Sequence, residues 1–151
     1  MILRKAKMSD VEDVHALIGE SAEEGLMLAR SRSLLYENLR DMIVAEVEGV
    51  IVGTGALHIL WEDLAEIRAL AIQKEARGKG IGRDIVEKLL EEAKSLGIAK
   101  VFALTYQEGF FKKCGFEVVG KDKLPHKVWK ECIDCPKFPN CDEVAMLIQV
   151  D

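Results

Sequence analysis

The sequence predicts one α/β domain with a mixed central sheet, in which an antiparallel meander precedes a β-α-β unit and helices flank the sheet. Three apolar, strand-like segments separated by tight turns occupy the middle of the chain. An amphipathic segment then lies between two apolar strands, which is typical of a crossover connection. A length of 151 residues suits one domain, so we expect residues 1–151 to fold as a single unit.

The chain opens with a predicted strand at 2–6, followed by a helix. Ser9 and Glu12 have the spacing of a capping box, in which a hydroxyl and a carboxylate bind the free amides of a helix start. Gly19 or Gly25 would end or interrupt this helix. Its apolar stripe consists of Val11, Val14, Leu17 and Ile18.

A second helix is expected at 33–39, and a meander of three strands follows it. Strands at 42–47 and 50–60 flank Glu48-Gly49, a dipeptide suited to a tight hairpin turn. A third strand is expected at 65–72.

The second half of the chain contains the predicted β-α-β unit. Apolar residues trace one face of a helix at 81–96, and Gly97 lies where a left-handed C-cap belongs. The strand at 101–104 follows, and the crossover from 65–72 is expected to be right-handed. The remaining predicted elements are a helix at 107–113 and strands at 116–119 and 143–150.

Charge and hydropathy exclude several classes of protein. The 21 basic and 26 acidic residues give a net charge of −5, which argues against nucleic acid as a partner. No apolar run is long enough to span a membrane, and the N-terminus lacks a signal-peptide pattern. We therefore expect a cytoplasmic protein with reduced cysteines and no membrane association.

Three cysteines crowd into one late segment, where structural zinc is an alternative to simple burial of the thiols. The spacing is wider than in the usual zinc knuckle, so the zinc pattern is incomplete. We expect no catalytic metal. The residues concerned are Cys132, Cys135 and Cys141, with His126 and Asp142 beside them.

A glycine-rich segment between the buried strand and the long helix is the strongest chemical signal. Its glycines let backbone amides approach an anion, and the helix start adds partial positive charge. It lacks the Gly-Lys-Ser/Thr ending of a Walker loop and the Gly-x-Gly-x-x-Gly spacing of dinucleotide folds, so a phosphate cradle and a plain tight turn both stay open. Its residues are Arg77, Gly78, Lys79, Gly80, Ile81 and Gly82.

Arg77-x-x-Gly80-x-Gly82, preceded by Leu70-Ala71-Ile72, resembles the acetyl-coenzyme A signature of the GNAT N-acetyltransferases. The resemblance implies acetyl-CoA as cosubstrate, with its pyrophosphate on the backbone amides of loop 77–82. It also implies that strand 65–72 splays from the next strand and pairs with the pantetheine arm. Phe111, in a segment that resembles the family's Phe-Tyr-x-x-x-Gly-Phe, replaces a tyrosine that protonates the thiolate in many members, and would contact the cofactor.

Four further stretches resemble the branch of this family formed by the bacterial N-acetylglutamate synthases. They are 28–32, 65–72, 104–107 and 124–129. The resemblance implies direct acetyl transfer to the α-amino group of L-glutamate, the first step of arginine biosynthesis, in a short form without the regulatory kinase-like domain. Other amino acids, polyamines or protein N-termini are alternative acceptors, and a non-catalytic coenzyme A-binding module is a further alternative.

Candidate roles follow from the chemistry of this transfer. Arg30, with Arg32 as a second choice, is expected to clamp a carboxylate of the substrate through its planar guanidinium. Glu66, at the start of an apolar strand, is the expected base for the ammonium, because desolvation would raise its pKa. An ion pair between Glu66 and Arg68 is the structural alternative.

The leaving thiolate and the acetyl carbonyl need partners of their own. Tyr106 is the better acid for the thiolate, whereas Thr105 could only donate a hydrogen bond. Backbone amides of Ala71 and Ile72 are expected to polarise the carbonyl. Cys114 is expected to pack and not to carry the acetyl group. A homodimer formed through the C-terminal strand or the cysteine-rich segment stays open.

Overall fold

The computed structural model describes residues 1–124 and 143–151, which form a mixed α/β fold around a seven-stranded sheet. The strands lie in the order β1-β2-β3-β4-β5-β7-β6, antiparallel except for the β4–β5 pair. The strands are β1 (Ile2–Lys5), β2 (Met42–Val47), β3 (Val50–Trp61), β4 (Leu64–Ile72), β5 (Lys100–Thr105), β6 (Glu117–Val119) and β7 (Val144–Gln149). The helices are α1 (Val11–Glu23), α2 (Arg32–Glu37), α3 (Ile81–Ser95) and α4 (Glu108–Lys113). The predicted fold class is confirmed.

The two larger of three apolar clusters in the described part of the chain lie on opposite faces of the sheet, because alternate strand residues point to opposite sides. On one face, α1 and α2 cover the sheet with a core that includes Val14, Ile18, Leu35, Met42 and Val44. On the other face, α3 and α4 pack through a core that includes Ile85, Leu89, Phe111, Ile43 and Ile67. The sheet is therefore sandwiched between two helical layers.

Several turns form where local sequence patterns predict them. Glu48 and Gly49 both have positive φ, 51° and 79°, as a type I′ hairpin turn between β2 and β3 requires. Gly97 follows α3 with a φ of 80°. Gly25, with a φ of 76°, follows α1, which runs through Gly19 without interruption.

The predicted capping box at the start of α1 is wrong. Within the described residues no side chain caps this helix, which is preceded by a short 3-10 turn. The Glu12 carboxylate accepts from Arg32 Nε at 3.0 Å instead of folding back onto the helix start. Asp10 accepts two hydrogen bonds from the Arg4 guanidinium, at 2.8 and 3.1 Å. Asp10 also accepts from the Lys7 amide at 2.7 Å, so the carboxylate that caps this turn is Asp10 and not Glu12.

Strands β4 and β5 separate partway along their length. Their parallel pairing runs from Leu64–Lys100 to Glu66–Phe102, and the described residues show no pairing beyond it. β4 continues to Ile72, so the backbone of its second half faces a gap on the β5 side. This fork is the separation of strands that the family resemblance implies.

A β-bulge lies in the second half of β4. Arg68 pairs with Ala56 on β3 and Ala71 pairs with Thr54, so Ala69 and Leu70 oppose a single residue. Ala69 has a φ of 55°, which is unfavourable for a residue with a Cβ. The bulge turns Ala69 into the core on the α1–α2 face, beside Arg68 in one recess.

None of the helices in the described ranges combines the length and apolar character that crossing a bilayer requires. The cysteine-rich segment that raised the zinc alternative, with Cys132, Cys135 and Cys141, lies outside the described residues.

Candidate active site

A cleft of about 390 Å³ opens where β4, the start of α3 and the end of α1 meet. Its volume is in the range typical of sites for small organic ligands. Leu70, Ala71 and Ile72 line it along the second half of β4, and the loop before α3 closes one end. The other lining residues are Ser21, Leu26, Ala76, Arg77, Gly78, Gly80, Ile81, Gly82, Arg83, Gln107 and Phe110.

The loop before α3 needs glycine for two different reasons. Gly78 and Gly80 have φ values of 79° and 82°, which disfavour any side chain. At Gly82 the limit is space, since a Cβ there would lie 3.3 Å from the ring of Phe110. The loop therefore presents bare backbone to the cleft.

Backbone amides at the start of α3 lack helical partners. The first hydrogen bond of this helix runs from Asp84 N–H to the Gly80 carbonyl, 3.0 Å away. The preceding amides of the first turn therefore have no carbonyl within the helix, and no described side chain caps them. A helix start of this kind attracts anions, so the residues fit a pyrophosphate.

Arg77 ties the loop to both walls of the cleft. Its Nε donates to the Ile72 carbonyl at 3.2 Å, and its Nη2 donates to Glu24 Oε2 at 2.6 Å. The contact with Glu24 raises the pKa of Arg77 and lowers the pKa of Glu24. Lys79 is exposed on the same loop, so it brings a further positive charge to the cleft mouth.

The structure places Phe110 at the cleft and not Phe111, which was the residue expected to contact the cofactor. Phe111, expected at the cofactor, is 4% exposed and packs edge-to-face against Phe110 and Phe116 in the core. Phe110 lines the cleft instead, against Gly82. The turn of α4 decides this, because adjacent residues on a helix point in different directions.

A second, smaller recess of about 20 Å³ lies on the α1–α2 face of the sheet, beside the bulge in β4. Arg30 lines it from the segment before α2, and Arg68 lines it from β4. Asp41 also contributes, so the recess presents two guanidinium groups and one carboxylate. Its other lining residues are Leu34, Leu35, Asn38, Met42, Ala56 and Ala69.

Glu66 lies at the fork between β4 and β5, paired with Arg68. Arg68 Nε donates to Glu66 Oε1 at 2.6 Å, and the two side chains are only 7% and 9% exposed for Arg68 and Glu66. Buried charges of this kind require pairing, because desolvation is costly. The pair places a carboxylate beside the two guanidinium groups of the recess.

The residues considered for the leaving thiolate follow β5 directly. Thr105 is buried, and its hydroxyl oxygen accepts from the Gln107 amide at 2.8 Å, which fixes the turn into α4. Tyr106 is partly exposed. Gln107 lines the cofactor cleft, so this turn lies at its wall.

Arg32 does not join Arg30 in the recess lining. Its Nε lies 3.0 Å from both carboxylate oxygens of Glu12, and its side chain is 58% exposed. The helix that it begins directs it outward, with Ser31 as the N-cap. Arg30, one residue before that cap, faces the recess.

Several site residues were not predicted. Ser21 was detectable, since it continues the apolar stripe of α1 one turn after Ile18 and is 3% exposed despite its hydroxyl. Leu26 carried no sequence signal, and Gln107 belonged to the stretch 104–107 but was given no role. Asp41 lines the recess from the 3-10 turn Leu39–Asp41, and no periodic pattern in the sequence predicts that turn.

Comparisons with known proteins agree with this arrangement. Residues 11–116 match the acetyltransferase (GNAT) family. An uncharacterised N-acetyltransferase of Chlorobaculum tepidum is 40% identical over 96% of this chain and 94% of its own length. An amino-acid acetyltransferase of Mycobacterium tuberculosis is 37% identical over 86% of this chain and 76% of its own length.

Solved structures extend the match to the fold and the cofactor. A Mycobacterium tuberculosis protein crystallised with CoA superposes with a TM-score of 0.87, at 32% identity and full coverage of both chains. The N-acetylglutamate synthase of Neisseria gonorrhoeae, complexed with coenzyme A and N-acetyl-glutamate, gives a TM-score of 0.89 at 26% identity. That match covers 99% of this chain and 35% of the synthase. This chain belongs to the GNAT family and is an acetyl-CoA-dependent N-acetyltransferase.

Proposed function

We propose that this enzyme transfers the acetyl group of acetyl-CoA directly to the α-amino group of L-glutamate, the first step of arginine biosynthesis in the cytoplasm. The observation that carries the proposal is the recess that Arg30 and Arg68 line together, beside Glu66. The recess, at about 20 Å³, has room for one carboxylate end of glutamate and not for the whole molecule. The positive charge of its two arginines complements that carboxylate, and the rest of the substrate lies outside the recess.

The cofactor cleft supplies binding and orientation in this proposal. Loop 77–82 and the free amides of α3 hold the pyrophosphate, while Lys79 and Arg77 add positive charge. Acetyl-CoA, when bound, supplies the activated thioester. The open edge of β4 orients the pantetheine arm, and the Ile72 amide, which faces that edge, donates to the thioester carbonyl. The Ala71 amide, also expected in this role, points to β3 instead, because amides alternate in direction along a strand. Phe110 packs against the arm.

Arg30 binds a glutamate carboxylate on the other side of the fork. Arg30 lines the recess together with Arg68, and we assign the preference of the recess for an acid to Arg30. A polyamine would place a cation beside Arg30 and Arg68, which is unfavourable. Arg30 therefore favours an acidic acceptor over a basic one.

Glu66 accepts the proton that the ammonium must lose, because only the neutral amine attacks a thioester carbon. The C–S bond then breaks, and the thiolate must be protonated. We assign this protonation to the phenol of Tyr106, which regains a proton from the second one that the amine nitrogen loses. Thr105 is the alternative, and it could only donate a hydrogen bond to the thiolate. Thr105 already accepts from the Gln107 amide, which leaves its own proton free to donate.

The relatives support an amino acid as acceptor. Proteins named amino-acid acetyltransferase match at 32% to 37% identity and cover 82% or more of this chain. The Neisseria relatives are much longer, and this chain spans less than a third of one of them.

The test is thiol release from acetyl-CoA with a panel of single acceptors that includes glutamate, glutamine, aspartate, spermidine and an N-terminal peptide. The proposal predicts the highest kcat/KM with glutamate. Turnover with spermidine or the peptide but not with amino acids would refute it. Tight coenzyme A binding without turnover on any acceptor would favour a non-catalytic module.

A further inference from the structure

A histidine–aspartate pair borders the glutamate recess, and the proposed reaction leaves it without a role. His58 Nδ1 lies 2.6 Å from Asp41 Oδ2. Asp41 itself lines the recess with Arg30 and Arg68. The two side chains are 29% and 26% exposed, so the pair bridges the recess and solvent.

The sheet register sets His58 next to Glu66. The two residues are direct partners in the antiparallel β3–β4 pair, at a point where the register is regular. Side chains of such partners project from the same face, with Cβ atoms about 5 Å apart. The imidazole and the carboxylate therefore lie on the same side of the sheet, on adjacent strands.

The reaction creates a need for a proton exit at this place. A bond forms between the amine nitrogen and the acetyl carbon, the C–S bond breaks, and coenzyme A leaves as a thiol. Of the three ammonium protons, one stays on the amide, one balances the thiol and one is released to water in each turnover. Glu66 is 9% exposed, so its own route to solvent is restricted.

We propose that His58, held by Asp41, carries this proton from Glu66 to solvent. Glu66 passes the proton through one water to His58 Nε2, and His58 releases it to bulk water. The Asp41 carboxylate accepts the Nδ1 proton, which leaves Nε2 as the nitrogen that binds and releases. Among the described residues, Asp41 is the hydrogen-bond partner that the structure gives His58.

Both the position and the residue type suit this task. The groups that face His58 are Asp41 from the 3-10 turn and Glu66 and Arg68 from β4, with Arg30 farther along the recess. Imidazole is the type of side chain whose ordinary protonation equilibrium lies near neutral pH, so it is chemically suited to pass a proton to water. His58 acts through Glu66 and is therefore a positioning and relay residue, not a catalytic one.

The proposal rests on the role given to Glu66 in the proposed function. Its test uses the amine that the wild-type enzyme acetylates fastest, so that an error in the acceptor does not affect the outcome. His58→Ala is expected to lower kcat about tenfold or more in weakly buffered solution, with little change in KM for the acceptor. Added imidazole is expected to restore kcat, because it replaces the missing proton carrier.

Two further variants separate a relay from a structural role. Asp41→Asn preserves shape but favours the other imidazole tautomer, so kcat is expected to fall and the pH profile to shift. His15→Ala on α1 removes a histidine that is not among the residues lining the recess and is expected to leave kcat and the imidazole response unchanged. Circular dichroism checks that each variant folds.

An unchanged kcat in His58→Ala, or a loss that imidazole does not restore, would overturn the relay. An unchanged kcat and pH profile in Asp41→Asn would do the same. Either result would leave the acceptor assignment intact, since that is measured on the wild-type enzyme alone.

Discussion

Arg68 Nε donates to Glu66 Oε1 at 2.6 Å, and the pair is buried where β4 and β5 separate. This contact joins the two halves of the site. Glu66 marks the last paired position of the fork that opens toward the cofactor, and Arg68 reaches the acceptor recess.

Glu66→Gln removes the proposed base but preserves the hydrogen-bond acceptor for Arg68. We expect kcat/KM for the acceptor to fall about 10²- to 10⁴-fold, the usual contribution of a positioned general base. Thiol-release kinetics and a thermal melt of the same preparation test this. Activity near the wild-type level in a folded variant would exclude Glu66 as the base.

Arg30→Ala is expected to raise KM for glutamate about 10- to 100-fold, because a charged hydrogen bond contributes about 1.5–3 kcal/mol. KM for acetyl-CoA should not change. Arg32→Ala is the matched control, because the ion pair of Arg32 with Glu12 is exposed and such surface pairs have small effects. It should leave KM for glutamate within about twofold of the wild type. If Arg32→Ala raises KM for glutamate and Arg30→Ala does not, then Arg32 and not Arg30 binds the substrate carboxylate.

Two glycines at nearly equal φ provide a matched test of the cofactor loop. Gly80 and Gly97 have φ values of 82° and 80°, and at both positions a Cβ would meet only open space, so alanine should cost each about 1 kcal/mol of stability. Only Gly80 precedes the free amides of α3, so only Gly80→Ala should raise KM for acetyl-CoA. If KM for acetyl-CoA is the same in the two variants, the loop does not bind the cofactor.

The ion pair between Arg4 and Asp10 makes part of the free energy of unfolding depend on pH. Hydrogen bonds from Arg4 lower the pKa of Asp10, so its contribution is present above the ordinary carboxyl pKa and is lost as pH falls through the lowered value. Asp10→Asn should reduce the free energy of unfolding by about 1–3 kcal/mol near neutral pH, with a smaller reduction in acid. Denaturant titrations across this range test it, with Asp13→Asn, an exposed change in the adjoining helix α1, as the control. A reduction that is independent of pH would contradict the ion-pair explanation.

Cys114 bears on the direct-transfer mechanism. Burial raises the pKa of its thiol, so little reactive thiolate is present at neutral pH. Cys114→Ala should keep kcat within a few-fold of the wild type, and intact-protein mass spectrometry after rapid mixing with acetyl-CoA should show no acetylated enzyme. A burst of covalent acetyl-enzyme that disappears in the variant would establish an acyl carrier instead.

Most of the fold was predictable because its signals are local. The hairpin at Glu48-Gly49 and the end of α3 at Gly97 depend on residues that tolerate positive φ, and the apolar face of α3 repeats at helical spacing. The bulge at Ala69 was not predictable, since alanine does not favour its φ of 55°. It is visible only in the register of β4 against β3, where Ala69 and Leu70 oppose a single residue.

The cofactor end of the site was predictable, because a local backbone motif forms it. The acceptor end was harder to predict, because its side chains come from residues far apart in the sequence. The loop at 77–82 lines the cleft, as its glycines indicated. The capping prediction at Ser9 and Glu12 failed because a 3-10 turn precedes the helix, and there the Asp10 carboxylate accepts from the Lys7 amide. Glu12 pairs instead with Arg32, 20 residues away. The pair of Asp41 and His58, 17 residues apart, forms only once a turn and a strand are packed together.

A competition experiment tests directly whether glutamate is the preferred acceptor. Wild-type enzyme is incubated with acetyl-CoA and equal concentrations of glutamate, glutamine, aspartate and spermidine, and the acetylated products are quantified by mass spectrometry during the initial rate. The product ratios then equal the ratios of kcat/KM. We predict that N-acetylglutamate dominates; a dominant acetylated polyamine or acetylated neutral amino acid would contradict the assignment of glutamate as the acceptor.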